Sequence, residues 1–560
     1  MRRGGALGLA SALGLASVGW LLASACSALV DRADSQCARD EDCAKFGAFT
    51  CVQGGCTAIQ EPGFEAGTDA ATFGPCATTS ECLAAHGGAG WVCRHVDSTC
   101  VSVISPDCPT ILGHYERDDA ILLGAILPIN GPHASTGAAI SEALGLAVGD
   151  FDGGIPGPDG SARPLAVVLC NESTLVDRAA THLAEDLLVP AIVGTGESAT
   201  TRQVAADVTR PKGLLLVSPR ATADLASVSG TGLVWRTCPA DAIEASALVA
   251  LTEKVVLPSV TGASATAHLA LAHATDVEST ALDAEITAAL HLNGALATDP
   301  SNAPYFVHVN YGDPDSLADT DASGGYSFAV DAVVTAATPP DVVLLVGSTQ
   351  AVSNVLAAIE ARWPPGVSPP HYVVSSGLQT SELLALAAGK DALRRRILGT
   401  APGGNGANVD AFYGRFATAL PNGIGAQEFG VAQAYDALYV LAFAEAASMK
   451  NAPVGADLRD ALTLALTPRP QTASVPIDIA PGNIGAAFAA LAAGSPIVLN
   501  GASAPLPFQT ASGDVLTDVQ VWCIPPASDA GAIGYERSGI SFVASSATLA
   551  GTTVGANCAQ

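Results

Sequence analysis

Four short, uninterrupted apolar runs constrain this chain more than anything else in it: AILLGAILPI (120–129), PLAVVLC (164–170), LLVPAIVGTG (187–196) and KGLLLVSP (212–219). A strand with one face in water alternates apolar and polar residues. These runs do not alternate, so both of their faces need cover. The cover lies between them: SEALGLAVGDFDGG, VDRAATHLAEDLL and ATTRQVAADVTRP carry apolar residues at helical spacing. The predicted product is α/β, a doubly wound parallel sheet with helices on both faces, whose ligands bind in the crevice beyond the carboxyl ends of the strands.

A second series follows TGLVWRTCPADAIEASALVAL. HLALAHAT, PYFVHVNYG, PDVVLLVG and HYVVSSG have the same strand character, and VSNVLAAIEARW and SELLALAAG the same helical one. With 560 residues, 49% of them hydrophobic, the chain has material for more than one core. Two such lobes leave a cleft between them, a common place for a small-molecule site.

Ahead of the α/β region, Met1-Arg2-Arg3 and the apolar GALGLASALGLASVGWLLASA form an export signal. Leu22-Ala23-Ser24-Ala25-Cys26 resembles the bacterial lipobox, in which the cysteine takes the lipid. Ala23 stands where leucine is usual, and Ala23-Ser24-Ala25 also fits ordinary cleavage; the lipobox accounts for Cys26 as well. We expect 1–25 to be a signal peptide and Cys26 the lipid attachment, placing the protein in the periplasm or cell envelope. Eight cysteines then fall in two blocks of four, Cys37, Cys43, Cys51, Cys56 and Cys76, Cys82, Cys93, Cys100. This duplication in an exported chain points to two disulfide-stapled modules over 26–106; no C-x-x-C pair suggests zinc. Cys523 with Cys558 is the expected bridge of a C-terminal tail (527–560). With Cys26 lipidated, thirteen cysteines remain, an odd number, so one thiol is free or pairs between chains.

LLGAILPINGPHASTGAAISEALGLAVGDFDGG, AIVGTGESATTRQVA, KGLLLVSPRATADLAS, GLVWRTCPADA, EFGVAQAYDALYVLAFAEA and GASAPLPFQTASGDVLTDVQVW stand in an order similar to the type 1 periplasmic binding proteins. The branched-chain amino acid (Leu/Ile/Val)-binding branch of ABC transporters is the part of that family they resemble. The resemblance implies a two-lobed ligand-binding domain within 107–526. It puts lobe 1 at about 118–242 and 400–500, and lobe 2 at about 243–399 and 501–525, hinged to close on ligand.

The same resemblance implies the site. Ser198 stands where the family's serine holds a ligand carboxylate, and Arg220-Ala221-Thr222 where a second loop adds an N–H and a threonine. Both loops open helices, where free N–H groups favour an anion. Thr136 replaces an aromatic of the first loop. Glu278 and Thr349 stand near the second lobe's tyrosines, and Gly377 near the acid that pairs with a ligand ammonium, leaving Glu278 to take that part. The implied partner is a small ligand, an amino acid or another small carboxylate or anion, passed to an ABC permease or reported to a membrane sensor. A lipoprotein that keeps the fold and has lost the ligand is the competing reading.

GESAT at 196–200 also resembles a serine-hydrolase elbow, but Thr200 stands where its second glycine is needed. The one HGG, His86-Gly87-Gly88, lies inside a cysteine block. We expect no enzyme, no cofactor and no metal site; the acidic 312–325 stretch lacks calcium-loop spacing. A net charge of −28 argues against nucleic acid.

Overall fold

A computed structural model of the chain describes residues 49–52, 55–58, 73–131, 133–172, 175–261, 266–312, 325–404, 406–420, 427–470, 472–526, 534–551, 554 and 558. The signal segment, Cys26, Cys37, Cys43 and most of the acidic 312–325 stretch lie outside the described residues. The chain divides into two compact units, Met1–Asp69 and Ala70–Gln560. In the first, an antiparallel hairpin pairs Phe49–Val52 with Gly55–Ala58, Cys51 opposite Cys56.

The second unit holds two large sheets. In the first, β1 (Thr110–Gly113), β2 (Ile121–Leu127), β3 (Leu165–Asn171), β4 (Ala191–Gly194), β5 (Leu215–Ser218) and β6 (Val234–Arg236) run in the order β6-β5-β4-β2-β3-β1. All neighbours are parallel except β1 on β3. The second contains β7 (Leu269–Ala274), β8 (Phe306–Tyr311), β9 (Val342–Val346), β10 (His371–Val374), β11 (Ile397–Pro402), β12 (Val519–Cys523), β13 (Glu536–Val543) and β14 (Thr548–Ala550). Their order is β8-β7-β9-β10-β11-β12-β13-β14, parallel as far as β11 and antiparallel beyond. Each sheet has an apolar cluster on both faces, the arrangement its unalternating strands require. This is the two-lobed type 1 periplasmic binding protein fold.

Helices supply that cover. α1 (Ala134–Asp150) and α5 (Val431–Ser448) pack in the first core, and α5 is buried from Val431 to Ala446, as an all-round apolar helix must be. Asp436, one of the polar residues that interrupt its run, is fully engaged inside the protein. Asp436 accepts hydrogen bonds from the Ala502 N–H (2.6 Å) and from the Ser503 N–H and hydroxyl (2.9 and 2.6 Å), while burial pushes its carboxyl up to about 7. Among the described residues no helix is long and apolar enough to cross a membrane.

The chain passes between the sheets three times. It leaves the first after Arg236, and α3 (Asp241–Leu251) packs in the second sheet's core. It returns after Pro402, where Phe412 and Phe416 join the first core, and leaves again between Val515 and Val519. The last passage corrects the boundary expected at 501: Ala502, Leu506 and Val515 are buried in the first core, and Phe508 lies against Trp235.

Two further expectations change. The second cysteine block is not a separate module ending at 106. Its bridges, Cys76–Cys93 and Cys82–Cys100, staple a hairpin whose Val92, Val101 and Val103 join Val168 and Leu183 in the first sheet's outer core. Cys108–Cys170 ties the same region to β3. The segment after 526 is likewise no loose tail: it contributes β13 and β14, and Cys558 is bridged to Cys523 in β12.

Candidate functional site

Each sheet reverses its winding once, at β2 between β3 and β4 and at β7 between β8 and β9. Loops leaving the strand ends at such a point go to opposite faces and open a crevice. Here both crevices border one cavity of about 60 Å³. His133 reaches it from beyond β2, Glu197 from beyond β4 and Arg220 from beyond β5. Glu278 reaches it from beyond β7 and Ser348 from beyond β9.

On the first wall, α2 (Ser198–Val204) opens a helix that continues through a π-helical stretch to Lys212. Its first N–H groups have no partner within the helix and carry the positive end of its dipole. Two carboxylates of the protein take the N–H of Ser198 and of the two residues that lead into the helix, Gly196 and Glu197. Glu172, just after β3, accepts from the Gly196 N–H (2.7 Å), the Glu197 N–H (3.0 Å) and the Thr200 hydroxyl. Burial, partly offset by these bonds, pushes its carboxyl up to about 7.

Glu278 takes the next group from across the cavity. Its helix, α4 (Val277–Ala289), is capped by Asp276, whose Oδ1 accepts the Ser279 N–H at 2.7 Å. That turn directs Glu278 to the first wall, where its carboxylate accepts the backbone N–H and the hydroxyl of Ser198. Burial, then the charges of Glu197 and Asp276, push Glu278 up to about 8. Ser198, fully buried, also accepts the Ala223 N–H at 3.2 Å. Its hydroxyl is thus a link in a hydrogen-bond chain and not a free nucleophile.

Arg220 borders the cavity, but its fork is in use. Nε donates to the Gly196 carbonyl (3.2 Å), Nη1 to the Phe429 carbonyl (3.0 Å), and Nη2 lies 3.8 Å from Glu197. Its stem rests on Gly430, where φ is +102° and an added Cβ would come within 2.4 Å of Arg220 Cγ. Ala221 is buried away from the cavity, its N–H bound to the Ser218 hydroxyl (3.0 Å). Arg236 fixes this loop by donating to the carbonyls of Ala221, Thr222 and Ala223. Thr222 borders the cavity. Thr136 does not: it is buried on α1 and hydrogen-bonds Glu428. Thr349 is also buried off the cavity, its neighbour Ser348 bordering it instead. Gly377 could hold no acid in this backbone, since a Cβ there would come within 2.2 Å of the Gly347 carbonyl oxygen.

Sequence reasoning missed the acids of α3 and the α4 cap. Asp241 and Glu244 both border the cavity from the first turn of α3. Glu244 is fully engaged: it accepts from the Ser376 N–H (2.6 Å), the Ser376 hydroxyl (2.8 Å) and the Thr400 hydroxyl (2.8 Å). Asp241 is 5% exposed, and its Oδ2 has no hydrogen-bond partner. Burial, with Glu244 and Glu278 nearby, pushes its carboxyl up to about 8 against the opposing Thr222 hydroxyl. The available signal was the pair of acids three apart in an Ala-rich helix start, CPADAIEASA.

Among the described residues, one group outside the disulfides could hold a metal ion. His308 Nε2 lies 2.8 Å from Asp283 Oδ1 and His273 Nε2 3.6 Å from Oδ2, on β8, α4 and β7. None of the three borders the cavity.

No protein-family model and no curated protein sequence matches the chain. Solved structures do. The leucine-binding protein LivK of Thermotoga maritima superimposes with a TM-score of 0.52 at 16% identity, over 74% of this chain and 98% of its own. LivJ of Streptococcus pneumoniae, a branched-chain amino acid transporter substrate-binding protein in complex with isoleucine, gives 0.52 at 15% identity over 75% and 99%. An ABC-transporter solute-binding protein of Rhodopseudomonas palustris, in complex with 3,4-dihydroxybenzoic acid, gives 0.52 at 13% over 76% and 98%. These neighbours are binding proteins of the type 1 fold and not enzymes.

Proposed function

We propose that the chain is an exported, lipid-anchored solute-binding protein that captures a small molecule between its two sheets for ABC-type uptake or for sensing. The observation that carries this reading is the pair of facing winding reversals around one polar cavity, the arrangement in which such sheets hold ligands. The named neighbours, which bind amino acids or aromatic carboxylates, support it at the level of fold.

The cysteine count supports the anchor. Of fourteen cysteines, eight are bridged among the described residues, and Cys238 is a buried free thiol pushed up to about 12 by burial. Five remain. If the first block pairs as the second does, first with third and second with fourth, only Cys26 is left over for lipid. Radiolabelled palmitate supplied to an expressing bacterium should enter the wild-type chain and not the Cys26→Ser variant.

A small amino acid or carboxylate is the ligand class the neighbours favour. It would meet the Ser198 seat with Glu278 already bound there. This contact also favours the second reading, a structural or interaction lipoprotein with a closed cleft. Thermal unfolding of the full chain with amino acids, small acids and small amines tests between them: stabilisation by any one supports capture, and silence across the panel supports the interaction protein.

A further inference from the structure

The balance of donors and acceptors around the cavity opposes an anion. The N–H groups of Gly196, Glu197 and Ser198, which lead into α2, are held by Glu172 and Glu278, the Ser198 hydroxyl faces Glu278, and Arg220 donates Nε and Nη1 to two carbonyls with Nη2 3.8 Å from Glu197. A ligand carboxylate would find these donors engaged, and would have to enter beside Glu197, Asp241, Glu244, Asp276 and Glu278, against which the cavity's lining sets Arg220 and His133, with Arg236 acting on Asp241 from behind it. Burying an anion beside these acids, where burial already disfavours their own charged forms, is costly in a low-dielectric site.

A cation meets the opposite situation. Asp241 is a nearly buried carboxyl on the cavity wall, and its Oδ2 has nothing to accept from. The Ser348 hydroxyl, bordering the cavity beyond β9, is a second buried polar atom without a partner. A bare metal ion does not satisfy this arrangement, because no three of the cavity's acids bring their oxygens within 4.8 Å of one another among the described residues. An ammonium or amidinium, with N–H groups spread over several directions, can donate to carboxylates that do not converge on a point.

We propose that the cleft takes a small organic cation, its ammonium or amidinium held between Asp241 and Glu278, with Glu278 itself filling the carboxylate seat at Ser198. The ligand class rests on the solute-binding reading above and narrows it. Glu278 then has two parts. It joins the walls as a built-in substitute for a ligand carboxylate, and the charge of a bound cation beside it favours its ionised form.

The test is calorimetric titration and thermal unfolding of the full chain at pH 8 and constant ionic strength. The cationic probes are ethylammonium, propylammonium and acetamidinium chloride; the comparison probes are propionate, leucine and 4-hydroxybenzoate. At least one cation is expected to bind and to raise the melting temperature, with propionate and 4-hydroxybenzoate silent and leucine at least tenfold weaker than propylammonium. Asp241→Asn is expected to weaken the cation at least tenfold while the unliganded variant melts no lower than wild type. Binding of leucine or an acid as tight as that of the best cation overturns the cation assignment and leaves the solute-binding reading standing. Cation binding unchanged in Asp241→Asn overturns the assigned seat. Silence from all six probes overturns the assignment and the solute-binding reading together.

Discussion

On the wall built by the first sheet, Ser198, Arg220 and Thr222 stand where a hydroxyl, a fork and a second hydroxyl would hold an anion; on the facing wall stand Asp241, Glu244, Asp276 and Glu278. The walls share one βα scheme and differ in charge. The difference shows what a binding loop becomes when its ligand group is supplied by the chain: the donors keep their geometry and spend it on the protein's own carboxylates. Glu172 does this from within the first wall and Glu278 from across the cavity. The contact between the walls is therefore itself a carboxylate bound at a helix start.

The largest effect should come from removing the fully satisfied acids, one on each wall. Glu244→Ala strands the Ser376 N–H and the hydroxyls of Ser376 and Thr400, and Glu172→Ala strands two N–H groups and the Thr200 hydroxyl. Each should lower unfolding free energy by about 4 kcal/mol in urea titrations. A loss confined to one of them would break the equivalence of the walls.

Asp241→Asn should act in the other direction. The wild-type carboxyl stays protonated in the folded chain up to about pH 8, raised by burial and by Glu244 and Glu278, with Arg236 opposing. In the unfolded chain it ionises near pH 4. The folded state holds the extra proton between these values, so this group's stabilising contribution is whole below about pH 4 and is lost as pH rises toward 8. Asp241→Asn should gain on wild type across that window, by about 2 kcal/mol at pH 8. A constant difference in melting temperature from pH 4 to 8 would contradict the buried carboxyl with its unpartnered Oδ2.

Ser198→Ala should cost about 1 kcal/mol, since the hydroxyl is lost to Glu278 and to the Ala223 N–H while the backbone N–H to Glu278 remains. The smallest effect is expected at Thr349→Ser, buried next to the cavity without bordering it; unfolding free energy should change by no more than about 1 kcal/mol, with cation affinity within twofold in calorimetry.

The strands were legible because burial on both faces leaves an unmistakable run: AILLGAILPI contains β2, PLAVVLC most of β3, and PDVVLLVG all of β9. β13 was less legible. ERSGISFV buries only alternate residues, and a half-covered antiparallel strand at the end of a chain looks like any polar tail. The second cysteine block was read as a free-standing module for a similar reason, since its few valines mean little until the sheet face they cover is known. At the site, the glycine turn and the SPRAT loop led to Ser198, Arg220 and Thr222, and Glu278 was singled out as a charge for a ligand ammonium. Its bond to Ser198 joins residues 80 positions apart, which no local pattern encodes. Asp241 escaped notice because an acid in a first helical turn is ordinary dipole chemistry. Only its burial beside a cavity makes it unusual.

The three passages between the sheets have a consequence for how such a protein can change over time. Each wall of the cleft is assembled from separated stretches of sequence, so no single cut divides the chain into one wall and the other. Recombination that exchanges contiguous segments would carry pieces of both walls at once. A new charge pattern in the cleft must therefore arrive residue by residue, and substitutions at positions such as 241 and 278 are the natural unit of its divergence.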